Sequence, residues 1–578
     1  MQLSYCTQFI LQYLEYILLA HRLFMLTMKV MTLPKLTHYL LLTLFSLLLL
    51  LPGIVKMPVM DRDEAHFAQA SRQMVQTGNY FQIRFQETTR FRKPPGINWL
   101  QAASVKLFSN PDANIIWPYR IPSLLGALIS ILLTYFFSRR FLGQTVAVLA
   151  AVMLASTLLL VVESHMAVID ASLLSSVVLM QGALWIIYQA GIEGKRVHWG
   201  WAACFWLAMT YGLVLKGVTP LVGILSIIAL CLVERRIAWL RNLQVMKGVL
   251  VFIALSLAWI IMVNEAEHSN YLLQVIHRDL LPKLKGGHES HGKPPLFHLL
   301  ILPLTFWPAS LFLWQAGVHA VKHRREKVIK FLLAWIIPTW IFFELMPTKL
   351  PQYVLPTFPA IALLCALAIQ GDNHDKKPGK WLHLLQVLWV VLSTGLALSF
   401  VSLPYLVMQQ FTLASVALCI SIVVLSVIAA RFAWNGIYRQ AYLTTLLIAL
   451  ISYSLIFTAL LPQLKPVWLT SNLVQLVNGK AIADDKPLLV VGFDEPSLVF
   501  NLNTKSVQFV NGVLAGQILQ SDPSRIAIVE ANHFAHWENS FMDLAILGRI
   551  KGFNYSKGHW VELFLIGQQK PGVSHVTL

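Results

Sequence analysis

Thirteen apolar runs, each close to the length that spans a bilayer's hydrocarbon core, leave this chain little choice of architecture. They fall near 37–55, 118–138, 144–162, 167–190, 199–215, 217–233, 248–264, 296–317, 331–346, 353–370, 382–403, 411–430 and 441–461. With 57% hydrophobic and only 12% charged residues over 578 positions, the composition lies outside the range of soluble domains. The chain reads as a polytopic α-helical membrane protein.

Charge gives the runs a direction. One set of short loops holds Arg139-Arg140, Lys195-Arg196, Arg235-Arg236 with Arg241, Lys322 with Arg324, Arg325 and Lys327, Lys376-Lys377 with Lys380, and Arg431 with Arg439. The short loops of the other set carry Glu163, Lys216, Lys349 and little else. This alternation predicts an inward N-terminus and an outward C-terminus. It also absorbs most of the +18 net charge, and no basic, aromatic-interleaved soluble domain is left to bind nucleic acid. Cys6, Cys204, Cys231, Cys365 and Cys419 all sit in apolar surroundings, which gives neither a disulfide framework nor a CxxC metal motif. Residues 1–27 lack a small-residue cleavage site and read either as an extra interfacial helix or as sequence ahead of a start at Met28.

The expected organisation is an extension over 1–36, a transmembrane domain over 37–463 with outward loops 56–117 and 265–295, and an outward α/β domain over 464–578. In that tail, PLLVVG (487–492), VQFV (507–510), RIAIVE (525–530) and WVELFLIG (560–567) are strand-like, with helices expected at 466–478 and 535–548.

The first outward loop breaks the positive-inside pattern. It opens on Asp61, Arg62, Asp63 and Glu64 and later carries Arg90, Arg92 and Lys93 ahead of Pro94-Pro95. Asp61 and Glu64 have capping-box spacing, Phe67, Ala70, Ser71 and Met74 share a face, and Gly78 supplies a stop, so a helix is expected over 62–77. Capping does not require Asp63, which makes it the candidate for chemistry, in a first turn whose dipole favours a carboxylate. Arg90, Arg92 and Lys93, stiffened by the proline pair, suit a phosphate, and Lys349 with Tyr353 and Lys216-Gly217 supply similar cations at outer helix ends. Asp170, just inside the fourth run, is costly in a membrane and so a functional candidate. The loop 265–295 holds His268, His277, Arg278, Asp279, His288, Glu289 and His291, a spacing open to a divalent ion but matching no zinc pattern. Two other classes compete: a transporter, which places ionisable groups at the midplane of repeated halves, and an accessory protein using the tail to dock.

Taken in order, RDEAHFAQASRQM (62–74), KPP (93–95), AVID (167–170), LKG (215–217), TKLPQYVLP (348–356) and the α/β tail resemble the family-39 membrane glycosyltransferases of the GT-C fold. These are related to the protein O-mannosyltransferases, and the similarity is strongest to the branch that adds an amino sugar to lipid A. The resemblance implies about thirteen transmembrane helices and a periplasmic α/β domain in a bacterial inner membrane. It implies transfer of a sugar from a polyprenyl-phosphate donor to lipid A or a related lipopolysaccharide, with a protein hydroxyl as the alternative acceptor. By the same resemblance, Asp63 and Asp170 are the required carboxylates. Lys93, Tyr353 and Arg278 hold the donor phosphate, with Lys349 and Arg90 beside them, and Asp61 and Glu64 support the helix. The relatives carry an acidic residue before the lysine, where a divalent metal is proposed to bind. Arg92 reverses that charge, so a metal requirement is in question.

Overall fold

A computed structural model describes residues 35–90, 93–267, 270–277, 281, 292–371, 380–478, 486–502, 507–534 and 544–568. Each of the apolar runs lies on an apolar helix. Eight helices are long and apolar enough to cross a membrane alone, ten spans result if two bent pairs are each counted as one, and Leu36–Leu50, Gly200–Leu215 and Thr219–Glu234 are apolar but shorter.

The bent pairs are Gly143–Ala155 with Leu158–Ser164, at 60°, and Phe297–Thr305 with Ala309–Lys322, at 114°. Pro308 lies in the second break, where it offers no N–H to continue the helix. The two breaks satisfy each other. The Leu158 N–H donates to the Trp307 carbonyl at 2.8 Å, and the buried Tyr453 hydroxyl donates to the carbonyls of Ser156 at 2.8 Å and Trp307 at 3.2 Å. Broken backbone at membrane depth is tolerated only with such partners. Elsewhere small residues let helices touch: a Cβ on Gly126 would stand 2.4 Å from the Ser172 Cα, so Trp117–Ser138 and Asp170–Ile192 cross almost in backbone contact.

The loop over 56–117 folds into the helix Asp63–Thr77, a small hairpin of β1 (Arg84–Phe85) and β2 (Thr88–Thr89), and the helix Gly96–Phe108. The first helix buries Phe67, Ala70, Ser71 and Met74 and ends at Gly78 with φ 72°, as the sequence predicts. Buried polar groups latch the two helices together. The Ser71 hydroxyl meets Gln101 Oε1 at 2.7 Å and accepts from Asn98 at 2.9 Å, and Gln101 donates to the Ala167 carbonyl at 3.0 Å, just ahead of Asp170.

The tail is an α/β domain built on a five-stranded sheet of order β4-β3-β5-β7-β6. Its strands are β3 (Leu488–Val491), β4 (Val507–Phe509), β5 (Ile526–Glu530), β6 (Leu544–Asn554) and β7 (His559–Gln568). β3 runs parallel to β4 and β5, and β7 is antiparallel to β5 and β6. The expected helix at 466–478 is present as Leu469–Asn478. The expected helix at 535–548 is not: residues 544–548 belong to β6, while 535–543 lie outside the described residues. The stretch pairs with β7 from Leu544 to Asn554 around a bulge at Ile546/Gly548, and this non-local pairing overrides its local preference.

Candidate active site

The acidic turn is built differently from the capping box its spacing suggests. Asp61 makes no cap. Arg62 occupies the N-cap position at φ 65°, ψ −111°, a conformation rare for a residue with a side chain. Glu64 does the local work, accepting the Met60 N–H at 2.8 Å and the Ala167 N–H at 2.8 Å. It also receives Arg120 through two bonds of 2.8 Å, and neither side chain is more than 1% exposed. Arg120 donates further to the carbonyls of Ile54, Met57 and Pro58 at 2.8, 2.8 and 2.7 Å. Sequence reasoning missed Arg120, although an arginine inside an apolar run is itself a signal. Asp63 is left at the first helical position with its side chain 64% exposed, and Arg90 lies 3.8 Å away over the Phe67 ring. This carboxylate is free to meet something arriving from outside.

A second cluster lies at the helix ends. Lys216, which follows Gly200–Leu215, donates to Asp170 at 2.6 Å, and both are nearly buried. The sequence suggested Lys216 as an independent anion ligand. The structure instead commits it to Asp170, with its ammonium 4.9 Å over the Tyr353 ring. Glu163, also buried, is within electrostatic reach of Asp170, Lys216 and Asp63, and so connects this cluster to the acidic turn.

Tyr353 stacks on His298, with ring centroids 6.5 Å apart. His298 bridges Glu344 Oε2 at 3.2 Å and the Leu350 carbonyl at 3.1 Å, a supporting role that no sequence motif announced. Lys349 is 4% exposed and donates to the Lys293 carbonyl at 3.1 Å. Lys93 is half-buried and lies just before Gly96, where a Cβ would stand 2.6 Å from the Val214 carbonyl oxygen. That close approach brings the KPP segment against the chain two residues ahead of Lys216. Arg92, Arg278, His288, Glu289 and His291 lie outside the described residues.

Among the described residues no donor set for a divalent metal is assembled. Arg120 occupies Glu64, Lys216 occupies Asp170, and no group of three His, Cys, Asp or Glu side chains gathers among the described residues. What the arrangement offers is an exposed carboxylate at a helix N-terminus beside Arg90, and a buried lysine held over a tyrosine ring. Such a site suits an anionic group attached to an electron-poor carbon.

Comparison with known proteins bears on the fold. Residues 92–261 match the family model described as dolichyl-phosphate-mannose-protein mannosyltransferase. Crystal structures of ArnT from Cupriavidus metallidurans superpose with TM-scores of 0.71 in the apo state and 0.72 bound to undecaprenyl phosphate. Both are 17% identical in sequence and cover 92% of this chain and 98% of ArnT. The chain therefore has the GT-C fold of polytopic membrane glycosyltransferases. In sequence the chain is similar to undecaprenyl phosphate-aminoarabinose transferases. The undecaprenyl phosphate-α-4-amino-4-deoxy-L-arabinose arabinosyl transferase 1 of Pseudomonas fluorescens (strain Pf0-1) is 26% identical over 346 residues. That match covers 60% of this chain and 59% of the relative's length.

Proposed function

We propose that this chain transfers an amino sugar from a polyprenyl-phosphate donor to lipid A or a related lipopolysaccharide, on the periplasmic side of a bacterial inner membrane. The observation that carries this reading is an exposed carboxylate, Asp63 with Arg90 at 3.8 Å, in a chain that also sets Lys216 over the Tyr353 ring at 4.9 Å, with buried Glu163 in the electrostatic field of both Asp63 and Lys216. The likeness to ArnT bound to undecaprenyl phosphate, and the activity for which the Pseudomonas relative is named, support the donor and favour an aminopentose.

In this reading Lys93, Lys349, Arg90, Arg278 and Tyr353 hold the donor phosphate. The bond from the sugar's anomeric carbon to the phosphate oxygen breaks, an acceptor oxygen bonds to that carbon, and the polyprenyl phosphate leaves with the electron pair. The cations stabilise the charge growing on the leaving group, and Asp63 stabilises the oxocarbenium-like carbon. An ionised lipid A phosphate needs no base as acceptor, whereas a hydroxyl would pass its proton to Asp63. Asp170 keeps Lys216 charged and oriented.

The matching family model favours one second reading, transfer to a protein hydroxyl. Mass spectrometry of lipid A and of total glycoproteins, from cells with and without the gene, separates the two. An aminopentose lost from lipid A supports the proposal, and a glycan lost from proteins supports the alternative. Unchanged lipid A and protein glycans would remove both and return the transporter class to first place.

A further inference from the structure

The acidic turn is gripped from above by the C-terminal domain, through contacts more than four hundred residues apart in sequence. The Asp61 N–H donates to the Tyr555 hydroxyl oxygen at 2.6 Å, and Asp61 Oδ1 accepts the Ser497 N–H at 3.2 Å. Arg62, the residue with positive φ, donates to the Ser556 carbonyl. The grip is itself stiff. Asn554 accepts the N–H groups of Ser556 at 3.0 Å and Lys557 at 3.1 Å and donates to the buried Glu495 at 2.7 Å. The Tyr555 ring packs against the membrane-domain core and lies edge-on to Trp468 at 6.2 Å.

A second anchor lies on the other side of the Asp63 helix. Phe500 is fully buried among Val59, Ala65 and Ala68 of the first loop and Tyr119 at the start of the helix Trp117–Ser138, and Arg72 donates to its carbonyl at 2.5 Å. The residue next to Asp63 thus keeps its unfavourable backbone conformation between its own helix, where the His66 N–H donates to its carbonyl at 3.0 Å, and the C-terminal domain, which takes its side chain and the neighbouring Asp61.

We propose that the C-terminal domain sets the working position of Asp63, with Tyr555, Ser497 and Ser556 acting as positioning residues through the Asp61–Arg62 turn. This rests on the catalytic reading of Asp63 given above. The cross-domain hydrogen bonds of these three go to the Asp61–Arg62 turn, so the grip acts on the carboxylate that follows it.

The test uses the full chain in detergent or nanodiscs, with Tyr555→Phe, which keeps the ring and removes only the hydroxyl. Lys557→Ala, whose side chain pairs with Asp494, serves as control. Hydrogen exchange over residues 60–66, affinity for a polyprenyl phosphate, and kcat are measured together. Tyr555→Phe should speed exchange in that segment and lower kcat roughly tenfold or more, as misplacing a reacting group does, with polyprenyl-phosphate affinity unchanged. Lys557→Ala should do neither. Unchanged exchange, unchanged kcat, or an affinity loss as large as the kcat loss would overturn the proposal. If the wild type transfers nothing, the function proposed above fails, and the exchange result alone decides whether the grip exists.

Discussion

Replacing Asp61 with asparagine should tighten the seat of the C-terminal domain at neutral and alkaline pH. Burial, with the nearby Glu495 adding to it, pushes the Asp61 carboxyl up to about 7 against the opposing hydrogen bonds from Ser497 and Tyr555. The other charged groups facing this spot are Arg62, Glu64 and the Asp494–Lys557 pair at 2.6 Å. Raising a carboxyl from its ordinary range to about 7 corresponds to at most roughly 4 kcal/mol. The docked state holds the extra proton, so this contribution is complete below about pH 4, declines as pH rises, and is gone above about pH 7. Asparagine has no charge to bury, and its amide oxygen accepts the same Ser497 N–H.

The gain of the variant over wild type should therefore be small near pH 4 and reach about 1–4 kcal/mol near pH 8. Thermal unfolding of the full chain in detergent at both pH values reads it as a rise in Tm confined to the higher pH. A variant that melts at or below wild type near pH 8 would refute the reasoning, as would a gain that ignores pH.

Glu64→Ala leaves the Arg120 guanidinium buried without its carboxylate and should cost about 3–5 kcal/mol, seen as loss of folded protein from the membrane. Lys93→Ala should abolish transfer at normal protein level, because a cation in a water-excluded phosphate site makes bonds its neighbours do not replace. Full activity in that variant would take Lys93 out of the phosphate site. A reporter fused after residue 470 should be active only on the periplasmic side, and a cytoplasmic signal would overturn the orientation.

Legibility in the sequence followed the range of the interaction. Apolar runs and strand-like segments are local patterns, and they located the membrane helices, Asp63–Thr77 and four of the tail's five strands. β6 escaped because its identity comes from pairing with β7. Glu64 was read as a cap from its spacing, whereas its strongest partner, Arg120, lies fifty-six residues away. The candidate residues were visible as charges out of place in or beside a membrane, but their pairings were not. Nothing local distinguishes a Lys216 that holds a ligand from one that holds Asp170. The grip of Tyr555 and Ser497 on the acidic turn leaves no periodic trace at all.

The central claim is that Asp63 faces a sugar carried on polyprenyl phosphate. It is tested most directly by incubating the purified chain with a polyprenyl-phosphate amino sugar and lipid A, with wild type, Asp61→Asn and Asp63→Asn side by side, and weighing the lipid A. The account predicts one added aminopentose with wild type and with Asp61→Asn, and none with Asp63→Asn. No added mass with wild type, or equal turnover by the Asp63 variant, would contradict it.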